Sequence, residues 1–149
     1  MVRPLRSNVL AALIAFCATE AVAQEFFTLK GHGGPIMDIT VGDEGLIATA
    51  SFDNAVGIWN GTPAAPRWLD GHEAAVNTVA FVEGGVILSA GDDNSLRLWS
   101  LPEATQTVLG QHTAKILDIA VSPDNRYAAT ASWDGKIGLW DLSDGSRQT

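Results

Sequence analysis

The segment LDGHEAAVNTVAFVEGGVILSAGDDNSLRLW, from Leu69 to Trp99, decides the fold. Val76, Val79 and Phe81 alternate loosely with polar or small residues until Glu83-Gly84-Gly85 breaks the run. Val86-Ile87-Leu88 follows, Gly91-Asp92-Asp93-Asn94 breaks again, and Leu96, Leu98 and Trp99 come next. After Pro102-Glu103 a fourth run covers Thr105–Leu109. The period is 2, not 3.6. Short β-type runs separated by Gly, Asp, Asn and Pro clusters describe antiparallel strands joined by tight turns. Strands are expected near 75–81, 85–90, 95–100 and 105–109.

Working outward, the same text recurs on both sides. Leu29-Lys30-Gly31-His32 and Leu109-Gly110-Gln111-His112 echo Leu69-Asp70-Gly71-His72, so the three histidines fall 40 residues apart. Trp59, Trp99 and Trp140 recur at 40 and 41, and Asp53, Asp93 and Asp134 keep that step. A fixed period near 40 means that each unit is one supersecondary element unable to bury its apolar face alone. The equivalent strands are expected near 35–41, 46–50, 55–60 and 66–69, and near 115–121, 126–131 and 136–141. Glu25-Phe26-Phe27-Thr28-Leu29 reads as one further strand, aligned with Thr105–Leu109.

These residues resemble the WD-repeat family of β-propellers, whose units of about 40–45 residues carry Gly-His near the start and Trp-Asp near the end. Gly31-His32 and Gly71-His72 match, while Gln111-His112 keeps only the histidine. Trp140-Asp141 is a true Trp-Asp ending; Trp59-Asn60 and Trp99-Ser100 are degenerate. The resemblance implies an all-β fold: a partial β-propeller of three four-stranded antiparallel blades, with repeats at about 29–68, 69–108 and 109–149.

The resemblance also implies an internal hydrogen-bond chain in each blade, from a Trp through a Ser or Thr and the loop His to the turn Asp. Carried over, the sets are His32–Thr49–Asp53–Trp59, His72–Ser89–Asp93–Trp99 and His112–Thr130–Asp134–Trp140. The chemistry is coherent, because a buried indole N–H needs an acceptor, a hydroxyl both accepts and donates, imidazole bridges and a carboxylate terminates. Partners of such propellers commonly meet one face of the ring. The positions that the resemblance assigns to it are Phe52, Asp92 and Trp133 in the turns, with Pro35, Met37, Ala75, Asn77, Lys115 and Leu117 at the strand starts. Phe52 and Trp133, large aromatics at turn positions, suit an anchor for a partner.

No enzyme or metal class fits. Each histidine repeats with its own Ser or Thr, Asp and Trp, so the three belong to separate blades rather than to one ion, and no metal site is expected. His72-Glu73-Ala74-Ala75-Val76 starts like a zinc-protease helix, but Val76 stands where the second His must be. The sequence has no nucleophile elbow, phosphate loop or Cys-x-x-Cys-His haem attachment. No catalytic residues and no cofactor are assigned.

Residues 1–23 read as a secretory signal: Arg3 and Arg6 form a basic start, Val9–Ala18 is uncharged, and Ala21-Val22-Ala23 offers a small-x-small cleavage site. The apolar run is too short for the roughly 20 residues of a bilayer span. Cleavage after Ala23 leaves 24–149 as the propeller segment, removes the only cysteine, Cys17, and gives a formal charge of −9. An exported chain without disulfides suits a bacterial periplasm. Acidity of this size argues against binding nucleic acid or an anionic membrane surface by charge.

Known propellers take about four to eight blades. Three blades are expected to form an open arc, completed by association of two copies or by blades missing from a truncated sequence. The leading functional expectation is a non-catalytic protein-interaction scaffold with an unidentified protein partner. Two alternatives stand beside it. One is the propeller part of a truncated periplasmic c-type cytochrome, as in similar bacterial periplasmic WD-repeat proteins; the other is a non-functional gene fragment.

Overall fold

The computed structural model describes residues 28–148. The expected signal and the greater part of the strand expected at 25–29 lie outside the described residues, and Thr28 and Leu29 carry no strand. Strands β1 (Ile36–Val41), β2 (Ile47–Ser51), β3 (Val56–Trp59) and β4 (Arg67–Leu69) form the first blade. β5 (Val76–Val82), β6 (Val86–Gly91), β7 (Ser95–Ser100) and β8 (Thr105–Gln111) form the second. β9 (Ile116–Val121), β10 (Tyr127–Ser132), β11 (Ile137–Asp141) and β12 (Arg147–Gln148) form the third. All pairings are antiparallel between sequence neighbours, and none of the three sheets closes on itself.

The expected strands stand within one or two residues of their places, but the third blade, for which only three strands are expected near 115–141, has a fourth of its own. Past Asp141 the chain turns back through Gly145, whose φ of 72° is the left-handed conformation that glycine adopts freely. Gly145 N–H donates to Asp141 O at 2.8 Å and Asp141 N–H to Ser146 O at 2.9 Å, which delivers Arg147 opposite Trp140.

The turn between the second and third strand of every blade is built alike. Asn54, Asn94 and Gly135 occupy it with φ of 72°, 65° and 77°. Glycine and asparagine tolerate this region best, so the Asp-Asn and Asp-Gly pairs of the sequence set the turn.

Alternation then sorts side chains into two seams. In the first, Ala48, Ala50, Val56 and Ile58 of blade one meet Val76, Val79, Ile87 and Trp99 of blade two. In the second, Leu88, Ala90 and Leu96 of blade two meet Ile116, Ile119, Ala128 and Trp140 of blade three. The first strands run together along one side, β1 against β5 and β5 against β9. Asp38 also ties blade one to blade two, its Oδ2 accepting from Thr78 Oγ1 at 3.1 Å and Val79 N–H at 3.0 Å. Among the described residues, the middle blade alone is covered on both faces by its neighbours in the chain.

Candidate interaction face

Each blade carries a hydrogen-bond chain running from its interior to its turn. In blade one, Trp59 Nε1–H donates to Thr49 Oγ1 at 2.9 Å, His32 Nε2 lies 2.7 Å from that hydroxyl, and His32 Nδ1 lies 3.0 Å from Asp53 Oδ2. Blade two repeats this with Trp99, Ser89, His72 and Asp93 at 2.7, 2.7 and 2.8 Å. Blade three has Trp140, Thr130, His112 and Asp134 at 3.0, 2.9 and 2.9 Å. The indole can only donate and the carboxylate can only accept. The carboxylate therefore accepts from an Nδ1–H, and the hydroxyl links the indole to the Nε2 side of the ring.

The carboxylates reach further. The oxygen that meets the histidine also accepts the N–H of Gly33, Glu73 or Thr113 at 2.7, 3.2 and 3.2 Å. The other oxygen accepts from Ala55, Ser95 or Lys136 at 3.1, 3.1 and 2.9 Å. Each Asp thus joins the loop before the first strand to the turn before the third. Burial alone would push the Asp93 and Asp134 carboxyls up; donation from His72 and Ser95, and from His112 and Lys136, overrides it and holds both well below the usual range. Asp53 is lowered by the same balance, with the Gly33 N–H and His32 opposing burial. In blade one Trp68 adds an edge-on contact to His32, ring centroids 4.8 Å apart.

Anchored this way, the turns are held at one end of the sheets beside the starts of the first strands. Phe52 N–H donates to Pro35 O at 2.9 Å, Asp92 N–H to Ala75 O at 2.8 Å and Trp133 N–H to Lys115 O at 3.0 Å. Register slips at the same place in all three blades, passing over Met37, Asn77 and Leu117. A β-bulge leaves its extra residue unpaired and re-aims it. All nine residues assigned to the face therefore gather at this end.

They are not equivalent there. Phe52 and Trp133 are 57 % and 67 % exposed, and Met37, Leu117 and Pro35 are exposed as well. Ala75 is buried and offers no side-chain surface. Asn77 and Asp92 are occupied with each other: Asn77 Nδ2 donates to Asp92 Oδ1 at 2.8 Å and to Ile116 O at 2.9 Å, bridging blades two and three. Lys115 Nζ lies 4.0 Å from Asp92 Oδ1 and 3.7 Å from the centre of the Trp133 ring, a cation–π contact. The face is a polar bridge between two apolar patches.

Sequence reasoning missed three features that shape this face: the bulges, the Lys115–Trp133 contact and the Asp38 tie. A signal existed for the last, since Asp38-Ile39 recurs as Asp118-Ile119, but its partners lie in another repeat. At the opposite end of the sheets a cavity of about 760 Å³ is lined by Gly42, Asp43, Phe81 and Glu83, none of them an assigned residue. Among the described residues no helix is long and apolar enough to cross a membrane, and no three His, Cys, Asp or Glu side chains gather as a metal site would require.

Successive four-stranded sheets sharing one side, each locked by a Trp-to-Asp relay, define a run of β-propeller blades. The chain belongs to the WD domain, G-beta repeat family, whose model matches it three times, at residues 23–60, 66–100 and 103–141. A search of curated proteins gave no match. Proteins of this family are generally non-catalytic interaction scaffolds.

Proposed function

We propose that this chain is an exported, periplasmic scaffold that binds a protein partner through the end of the blades displaying Phe52 and Trp133. The observation that carries this reading is the exposure of apolar side chains on a rigidly braced edge. Phe52, Met37, Trp133 and Leu117 stand open to solvent, while the turns beneath them are fixed by the hydrogen-bonded carboxylates of Asp53 and Asp134. Preorganised aromatic anchors lose little conformational entropy on binding and tend to dominate interface energies. The polar bridge of Asn77, Asp92 and Lys115 between the patches offers the charged component that sets orientation. Export is supported by residues 1–23 alone, whose basic start, uncharged run and small-residue site suit a cleaved signal.

The test is export of a tagged chain followed by capture from periplasmic extract. Mass spectrometry is expected to read Gln24 as the first residue of the exported form. A partner is expected to co-purify and to be lost from the Phe52→Ala, Trp133→Ala double variant, with β-sheet circular dichroism unchanged. Equal recovery by the folded double variant would place the binding surface elsewhere.

A further inference from the structure

The two outermost sheet faces are the separated halves of an interface that the chain already makes twice. Ile39 of blade one is equivalent to Val79 and Ile119, the residues that blades two and three bury against the preceding blade. Val79 is 4 % exposed; Ile39 is 61 % exposed. Ile36 and Val41 beside it are likewise open. At the other end, Ile137 of blade three is equivalent to Leu96 and Val56, which blades two and one bury against the following blade. Leu96 is 0 % exposed and Ile137 is 77 %, with Leu139 open beside it.

We infer that a second copy of this chain covers both faces head to tail, the Ile137–Leu139 face of each copy seating on the Ile36–Ile39–Val41 face of the other to close a six-bladed ring. Continuity with the internal seams chooses the occupant. What these faces accept is defined by the seams themselves, and a second copy presents both halves in the same register and direction. Two three-bladed arcs give six blades, within the range of about four to eight in which propellers close. The arrangement has two-fold symmetry, and both new seams are identical.

At one position the seam between copies places together two carboxylates that neither internal seam brings together. Internally, Asp38 accepts from Thr78 and from the Val79 N–H across the first seam. Asp118 is the equivalent of Asp38 in blade three, and across the closing seam it meets Asp38 of the second copy where a threonine stands internally. Two carboxylates then oppose each other, so closure is weaker than the internal packing. Asp118 Oδ1 also accepts the neighbouring Ile119 N–H at 2.9 Å, a bond that an asparagine oxygen preserves.

Sedimentation velocity on the purified chain over a micromolar concentration series tests this. The expected mass is that of two chains. Ile137→Lys and Ile39→Lys, both at exposed sites that leave the fold intact by circular dichroism, are each expected to reduce it to one chain. Mixing the two variants is expected to restore a two-chain species, since one unaltered seam remains between them. Asp118→Asn is expected to tighten association about tenfold by removing a like-charge contact. Phe52→Ala and Trp133→Ala should leave the mass unchanged, which separates this proposal from the interaction face. The inference is overturned by a single-chain mass throughout the series, by assemblies larger than two, by sensitivity to only one of the two lysine variants, by no mixed species, or by an Asp118→Asn chain that associates no more tightly.

Discussion

Asp93 and Asp134 show how a single carboxylate can hold a turn, a loop and a buried indole in one arrangement. Each accepts a histidine Nδ1–H, the backbone N–H after that histidine and a backbone N–H two residues along the turn. Their acidity has a consequence for stability that follows in sign from the geometry. The folded carboxyls titrate below the ordinary value of 3.8, so the stability they contribute is fully present above that pH and is lost as pH falls from it through the folded values. The urea midpoint is expected to be insensitive to these groups between about pH 7 and 5 and to drop below about pH 4. In Asp93→Asn the midpoint should be lower at neutral pH, and its loss on acidification shallower. Unfolding curves across this range read both effects.

At the scale of the blade, the relay sits so tightly against its sheet that the third strand must leave room for it. A methyl group at Gly138 would stand 2.5 Å from Thr130 Oγ1 and 2.8 Å from both His112 Nε2 and Trp140 Nε1. Gly138→Ala is therefore expected to destabilise the chain by about 1–3 kcal/mol through overpacking, read as a lower urea midpoint at unchanged slope. Strands and turns were legible in the sequence because the period of 2, the Asp-Asn and Asp-Gly turns and the 40-residue repeat point the same way. The four relay residues of each blade stand together because their spacing is the spacing of the strands that carry them. β12 is not legible in the sequence because Ser146-Arg147-Gln148 has no apolar residue to mark it. Nor are the bulges. Alternation locates a strand, but a single slipped residue such as Met37 changes the register without disturbing the local pattern. Contacts that cross between blades, such as Asp38 with Thr78 or Asn77 with Ile116, depend on how units stack, and no single repeat encodes that.

Over the whole molecule, stability comes from seams rather than from one central core. Within one chain each blade meets only its neighbour in sequence, so the blades behave as a short one-dimensional stack with nearest-neighbour coupling. The covering of the middle blade on both sides makes this stack uneven. Blade two loses contacts at two internal seams before it can open, whereas blades one and three lose them at one internal seam and at the weaker seam between copies. The first and third units therefore fray while the second persists, and local opening follows position in the array rather than hydrophobicity of the strand. Deuterium uptake into β6 should be slowest of the described strands, with β2 and β10 exchanging earlier although they occupy the same place in their own sheets. The central unit thus acts as the keel of the molecule, and an amino-acid change there would be felt across the whole span.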